Sequence, residues 1–364
     1  MAVFDDVILQ STLEIDKRQY LVTLTSNRIL LEAGKKKKEN DDANVEVSYR
    51  SVGESIDLRE IIAARLEKPP AAKDKVKTTE GNKVYLCIEM RPLKPNSFSI
   101  YYIKRMPKHR WRHKQLTLMS PEFETCQIWV DRIQDRLDMP EFQRPKSLLV
   151  FINPFGGKKR APKIYKEKVS PLFKLAGIRT DNVVTTNASH AYDVLQDYDL
   201  SRIDGVVAVG GDGTFSELMN GLLARSNGER GINRESHHEP VKPQLRIGII
   251  PAGSTDAVVY TTTGINDPVT SALHIIVGDR VGIDVCALYN NDRFLKYSVT
   301  MMAYGFYGDV LEDSEAFRWM GPKRYNWSGF KKVLTKKSYD GEVSYLLSDE
   351  SAGHPQVRAH CWSG

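Results

Sequence analysis

Residues 206–217 read Val-Val-Ala-Val-Gly-Gly-Asp-Gly-Thr-Phe-Ser-Glu, and this stretch constrains the fold more than any other. A β-branched run ends in three glycines around one aspartate, then passes into a helical pattern. Glycine has no Cβ, tolerates positive φ and leaves its amide unshielded. The first turn of the following helix adds free N–H groups and the positive end of a dipole, which favour phosphate. A strand, a bare loop and a helix in that order are suited to hold a polyphosphate against backbone amides. One carboxylate, Asp212, then stands beside the reacting group.

The surrounding residues, 146–278, alternate strands with helices. Ser147-Leu-Leu-Val-Phe-Ile152 is a continuous apolar strand, as expected when helices cover both faces of a sheet. Further strands are expected near 182–186, 205–209 and 245–250, and helices at about 161–176, 189–197 and 214–224. This alternation predicts an α/β domain with a parallel sheet and ligands at the carboxyl ends of its strands. Arg225 to Gln244 is polar, contains Asn227-Gly228, His237-His238 and two prolines, and reads as a surface loop.

Residues 1 to about 140 form a β-rich module with a closing helix. Arg18 to Ile29 and Lys83 to Ile103 carry strand-like runs; Lys35 to Lys38 and Pro69-Pro-Ala-Ala-Lys73 are loop-like. Ser120-Pro121-Glu122 is expected to start a helix, with Ser120 as its N-cap. Cys126, Trp129, Ile133 and Leu137 repeat at helical spacing, and Met139-Pro140 ends the pattern. Strands followed by one such helix resemble a pleckstrin-homology domain. Beyond about residue 280 the strands read as antiparallel, with a helix near 312–320. No internal repeat is found. The expected division is 1–140, 145–278 and 279–364.

The chain has 364 residues and a net charge of +6, with Lys and Arg at 52 against 46 Asp and Glu, so partners are decided by where the charges sit. Cys87, Cys126, Cys286 and Cys361 show no metal-ligand spacing and read as reduced thiols of a cytosolic protein. The N-terminus lacks a secretory pattern, and no apolar run reaches the length of a membrane span. A lipid substrate would have to be reached from the membrane surface.

Four segments fall at predicted strand ends. Asn153-Pro154-Phe155-Gly156-Gly157-Lys158 exposes amides before basic residues, or is an ordinary strand-to-helix turn. Gly210-Gly211-Asp212-Gly213-Thr214 is hard to explain by turning alone. Pro251-Ala-Gly253-Ser254-Thr-Asp256 offers a further glycine and hydroxyls, although Ser254 also suits a plain N-cap. Tyr304-Gly-Phe-Tyr-Gly-Asp309 is followed by Arg318 and Arg324, suited to neutralising phosphates or to a charged helix face.

Together these segments resemble the diacylglycerol kinase and sphingosine kinase superfamily of lipid kinases, over about residues 145–345, and within it the branch that phosphorylates ceramide. The resemblance implies an ATP-dependent kinase with Mg²⁺, transferring the γ-phosphate to the primary hydroxyl of ceramide to give ceramide 1-phosphate. Diacylglycerol or a sphingoid base is the alternative acceptor, and a shortened, non-catalytic lipid-binding form is a third reading. Asp212 matches the catalytic aspartate. Asn153, Pro154, Phe155, Gly156, Gly157, Thr185, Gly210, Gly211, Gly213, Thr214, Glu217, Gly253 and Ser254 match nucleotide-binding positions. Arg318 and Arg324 match phosphate-binding arginines. Gly210, Gly211, Asp212 and Gly213, with Asp309, lie where the acceptor's polar head is recognised. No residue is singled out as a metal ligand. Family members continue through a β-sandwich that returns to the nucleotide with an Asp-Gly-Glu segment. Here Asp340-Gly341-Glu342 lies too early for that and reads as a hairpin turn, so the chain is expected to be a fragment or shortened isoform. An incomplete sandwich is expected to leave strand edges and apolar faces open after about residue 280.

Lys104-Arg105-Met-Pro-Lys108-His109-Arg110-Trp111-Arg112-His113-Lys114 packs six basic residues and two histidines into eleven positions. Nucleic acid, a solvated loop and an anionic membrane all suit such a strip. The neighbouring lipid-binding type of module favours anionic lipid, a phosphoinositide in particular, with Trp111 at the interface. The expected location is cytoplasmic and peripheral on membranes, Golgi or plasma membrane, with no nucleic-acid partner.

Overall fold

The computed structural model describes residues 6–36, 47–49, 54–67, 96–231, 240–291, 293–321, 323–335, 337–347 and 356–363. Most of the 83–103 run, the 69–73 stretch, Lys37, Lys38, the histidine pair and Cys87 lie outside them, as do the side chains of Lys35, Lys36, Arg318 and Cys361.

The N-terminal module is an antiparallel sheet built from β1 (Val7–Ile15), β2 (Arg18–Thr25), β3 (Arg28–Lys36), β4 (Val47–Tyr49), β5 (Glu54–Asp57), β6 (Ile61–Leu66), β7 (Asn96–Arg105) and β8 (Trp111–Ser120). The order is β4-β3-β2-β1-β8-β7-β6, with β5 on β3. The Arg18–Ile29 run is therefore two strands, broken at Ser26-Asn27, with Leu24 paired to Ile29. Helix α1 (Phe123–Leu137) covers the sheet and buries Cys126, Trp129, Ile133 and Leu137, the four positions its periodicity marks. It begins later than Ser120 suggests. Ser120 is the last residue of β8, paired with Asn96, and its hydroxyl accepts from Glu122 N–H in a turn before the helix. Trp129 lies fully buried, stacked near Phe98, with its indole N–H donated to Ser11 Oγ at 3.1 Å.

The second module follows through β9 (Ser147–Ile152), α2 (Ala161–Ile164), α3 (Ser170–Leu175), β10 (Arg179–Val184), α4 (His190–Asp197), β11 (Gly205–Gly210), α5 (Asp212–Glu229), β12 (Arg246–Pro251), α6 (Ala257–Thr263) and α7 (Pro268–Ile276). Its four strands are parallel in the order β10-β9-β11-β12. β9 and β11 are buried along their whole length because helices cover both faces. Val150 and Val207 face α3 and α7, while Phe151 and Val206 face α4 and α5. The chain leaves β9 toward β10 and then crosses to β11 on the other side. That reversal opens a crevice at the carboxyl ends of β9 and β11.

Between α2 and α3 the backbone widens into a π-helical turn over Tyr165–Val169. Pro171 follows, and a proline inside a helix lacks the N–H its turn requires and crowds the carbonyl four residues back. Ser170 N–H accordingly bonds to Tyr165 O, five residues away.

The C-terminal part contains β13 (Cys286–Asn290), β14 (Arg293–Ser298), α8 (Phe306–Ser314), α9 (Lys323–Thr335), β15 (Asp340–Leu347) and β16 (Gln356–Ser363). Both strand pairs are antiparallel. Asp340-Gly341-Glu342 is not a turn: it starts β15 and pairs with Ser363, Trp362 and Cys361. The helix expected at 312–320 is replaced by α8 and a 3₁₀ stretch, Glu315–Met320, kinked at Phe317, and α9 adds a second helix. Tyr297 of β14 joins the core made by α5, α6 and β12. Asn220 fastens it there, donating to Tyr297 O at 3.0 Å and accepting from Tyr297 N–H at 2.9 Å. No described helix is long and apolar enough to cross a membrane.

Candidate functional site

Three loops meet at the carboxyl ends of β9, β11 and β12. The first is tied by Asn153, whose Nδ2 donates to Thr214 Oγ1 at 2.9 Å and whose Oδ1 accepts from Phe155 and Gly156 N–H at 2.9 and 3.2 Å. Gly157 has φ +53°, and a Cβ there would lie 2.7 Å from Ala252 O. A Cβ on Gly253 would lie 2.5 Å from Gly211 Cα. Only glycine permits backbone to approach this closely, which explains why all three loops carry it. Thr214 is buried beneath Gly210, and Thr185 is buried at the end of β10 with its N–H on Ile152 O. Phe155 is more than half exposed at the rim.

Asp212 is the first residue of α5, two residues earlier than the sequence pattern suggests, and is half-buried. Its carboxylate is clamped by a different helix. Oδ1 accepts from Val258 N–H at 2.9 Å and Oδ2 from Ala257 N–H at 3.0 Å. These are the first amides of α6, otherwise orphaned, and they present a positive dipole end to the carboxylate. Ser254 is thus not the N-cap of α6: Asp256 holds the cap position, and Asp212 satisfies the amides from across the crevice.

Asp256 is a residue that the segment contains but sequence reasoning gave no role. It is 2% exposed and has φ 55°. Its Oδ1 accepts from Gly253 N–H at 3.0 Å and its Oδ2 from Asn266 Nδ2 at 2.8 Å. Burial pushes its carboxyl above the usual range against those hydrogen bonds, and the nearby Asp212 pushes the same way. Glu217 of α5 turns to the start of α4, where its Oε1 accepts from Ala191 and Tyr192 N–H at 2.7 and 3.3 Å and so caps that helix.

The fourth segment is organised separately. Asp309 on α8 is bonded by Lys337 at 3.0 Å and Tyr339 at 2.9 Å, and these bonds, Lys337 first, hold its carboxyl below the usual range. Arg324 on α9 pairs with Glu315 at 3.2 Å and donates to Tyr325 Oη at 2.7 Å. The side-chain partners found for Asp309 and Arg324 among the described residues lie in 315–339, outside the three glycine loops. A concavity of about 380 Å³ lined by Arg179, Asp181, Tyr198 and Arg202 lies at the amino ends of the strands, away from the glycine loops. Among the described residues no cluster of three or more His, Cys, Asp or Glu is arranged to hold a metal.

The basic strip is not wholly outward. Trp111 and Arg112 are half-buried against α7, which corrects the placement of Trp111 at a membrane interface. Lys104, Lys108 and Arg110 stay exposed.

A strand-loop-helix cradle with one fixed carboxylate, preceded by a sheet closed with a single helix, defines a parallel α/β domain suited to phosphate joined to a pleckstrin-homology-like module. Residues 147–288 match the diacylglycerol kinase catalytic domain, and residues 9–133 match the ceramide kinase PH domain. The chain thus carries a diacylglycerol kinase catalytic domain and a ceramide kinase PH domain in tandem. It is similar to the ceramide kinases in particular. It is 45% identical over 272 residues to the ceramide kinase of Homo sapiens, covering 74% of this chain and 50% of that protein. The ceramide kinase of Mus musculus is 43% identical over 271 residues, covering 74% and 51%. Ceramide kinase 1 of Caenorhabditis elegans is 37% identical over 275 residues, covering 73% and 50%. The chain spans about half the length of these curated relatives.

Proposed function

We propose that this chain carries the ATP-binding and acceptor-orienting part of a lipid kinase that transfers the γ-phosphate of ATP to the primary hydroxyl of ceramide. The observation that carries this reading is the clamp on Asp212. A carboxylate held by two helix amides at the meeting of three glycine loops has one fixed direction in which to receive a hydroxyl. The proposed nucleotide contacts are the amides of Gly156, Gly157, Gly210, Gly211, Gly213 and Gly253, with Asn153, Pro154, Phe155, Thr185, Thr214 and Ser254 around them. Glu217 shapes the site through its cap on α4. Arg318, Arg324 and Asp309 are proposed to join when the phosphates and the acceptor are bound. The proposal divides the chain at 1–140, 145–278 and 279–364.

A carboxylate is too weak a base to ionise an alcohol outright. Asp212 orients the hydroxyl in line with the γ-phosphorus and takes its proton as the new P–O bond forms and the bond to the β,γ-bridging oxygen breaks, with ADP as the leaving group. The glycine amides neutralise the oxygens, and positioning plus charge neutralisation supply most of the acceleration. Two carboxylates beside amide-lined loops, Asp212 half-buried and Asp256 buried, fit Mg²⁺, which binds phosphates and water with only one or two protein carboxylates. Asp212 is the group that would hold it. When bound, Mg²⁺ supplies charge neutralisation to the phosphate oxygens. We also propose peripheral association with Golgi or plasma membrane, with Lys104, Lys108 and Arg110 facing anionic phosphoinositide headgroups at about 1 kcal/mol each.

The test is transfer from labelled ATP to ceramide in mixed micelles, with diacylglycerol and sphingosine as parallel acceptors. Asp212→Asn is expected to lower transfer about 10²–10⁴-fold while ATP still binds. Normal turnover by that variant rejects the assignment, and preference for another acceptor replaces ceramide.

A further inference from the structure

A continuous set of contacts joins the N-terminal module to the glycine loops. Arg112 of β8 makes a bidentate pair with Asp267, at 2.7 and 3.1 Å. Asp267 is the N-cap of α7, and its Oδ2 also accepts from Thr270 N–H and Oγ1–H at 2.9 and 2.7 Å. Trp111 N–H donates to Thr270 Oγ1 at 3.0 Å, and the Trp111 ring stacks on His274 at 3.7 Å. At the tip of the β7–β8 hairpin, His109 lies against Gly264, the C-cap of α6; a Cβ on Gly264 would be 3.3 Å from the ring. The short segment 264–267 is thus gripped by the hairpin. From that same segment Asn266 holds Asp256, and Asp256 holds the Gly253 amide.

Asp256 adopts a left-handed backbone conformation that a non-glycine residue keeps only when its surroundings over-determine it. Removing one partner of a buried carboxylate leaves it under-satisfied and mobile. We propose that Arg112 is a positioning residue of the nucleotide site: by fixing residues 264–267 it holds Asp256, and through Asp256 it holds the Gly253 loop against Gly211. The inference rests on the nucleotide-binding reading of that loop. It makes the N-terminal module a structural part of the site in addition to its role toward lipid.

The test uses the full 364-residue chain as wild type, Arg112→Ala, Arg112→Lys and Asp267→Asn, with Arg132→Ala on the exposed face of α1 as control. Amide hydrogen exchange is followed without nucleotide, and ATP is then titrated. Exchange over 250–258 is expected to accelerate about tenfold in Arg112→Ala, less in Arg112→Lys, and not at all in the control. ATP affinity is expected to fall in the same order. Acceleration confined to 264–271, or spread evenly over the chain, overturns the proposal. If the variants show the coupled exchange but wild type binds no ATP, the positioning link stands and the kinase reading fails. If Arg112→Ala does not fold, Arg112→Lys and Asp267→Asn decide the outcome by the same pattern.

Discussion

Asp212 owes its fixed direction to amides that belong to a helix 45 residues downstream. The glycines beside it are under equally tight control. Gly157→Ala would place a left-handed backbone under a Cβ and press that Cβ on Ala252 O, so a cost of about 1–2 kcal/mol plus the clash is expected. Thermal unfolding should shift down and ATP binding should weaken well beyond what that shift explains. Unchanged binding would mean that the loop does not line the nucleotide. At this scale Asp212 and its glycines were legible in the sequence because few residue types can do their work. Asp256 was not, because neither burial nor a left-handed φ in a non-glycine leaves a mark in a single sequence. Ser254 misled for a related reason: a hydroxyl before a helix reads as a cap unless the carboxylate that replaces it, remote in sequence, is known.

Among the elements, α7 shows how a helix start can serve two modules at once. Burial opposes the charge on Asp267, yet the hydrogen bonds from Arg112 and Thr270 outweigh it and hold the carboxyl below the usual carboxylate range. A folded-state pKa below the unfolded one means that the ionised form stabilises the fold. That contribution is full above the unfolded value and is lost as pH falls through the folded one. The urea-unfolding stability of wild type should therefore exceed that of Asp267→Asn at about pH 6, and the gap should close below about pH 4. A gap independent of pH would remove Asp267's charge from the account. The parallel strands and α1 were readable from periodicity, since unbroken apolar runs and a four-residue repeat leave few alternatives. The break at Ser26-Asn27 was written in the sequence, since the polar run Thr25-Ser-Asn-Arg28 interrupts the apolar pattern with turn-forming residues, and the single-strand reading passed over it. The later start of α1 was hidden because Ser120 suits both a strand end and a cap.

For the whole molecule, the notable feature is a core shared by both modules. Ile62, Ala63 and Ile103 of the N-terminal sheet are buried with Leu148, Leu172 and Leu273 of the parallel-sheet module. Arg144, between them, donates to Leu58 O, and burial lowers its pKa to about 10. The two modules should melt together. Ile103→Asp, placing a carboxylate in that core, is expected to lower stability by at least about 2 kcal/mol and to shift exchange in β1 and β9 alike. Separate transitions would contradict a shared core. No sequence pattern announced this interface, because apolar positions facing another module look the same as those facing their own. The far end differs: Met301, Tyr304 and Trp319 are each more than 70% exposed. The widened turn at Tyr165–Val169 has its own evolutionary consequence. Deleting one residue there would set Pro171 against an ordinary α-helical turn and swing everything before it by about 100°, carrying Lys158 and Lys159 to another side of the crevice. The 225–244 segment read as a loop in fact begins inside α5, which runs to Glu229 with Asn227 buried, so descendants of this gene should accept insertions between α5 and β12 far more readily than any change of length in those five positions.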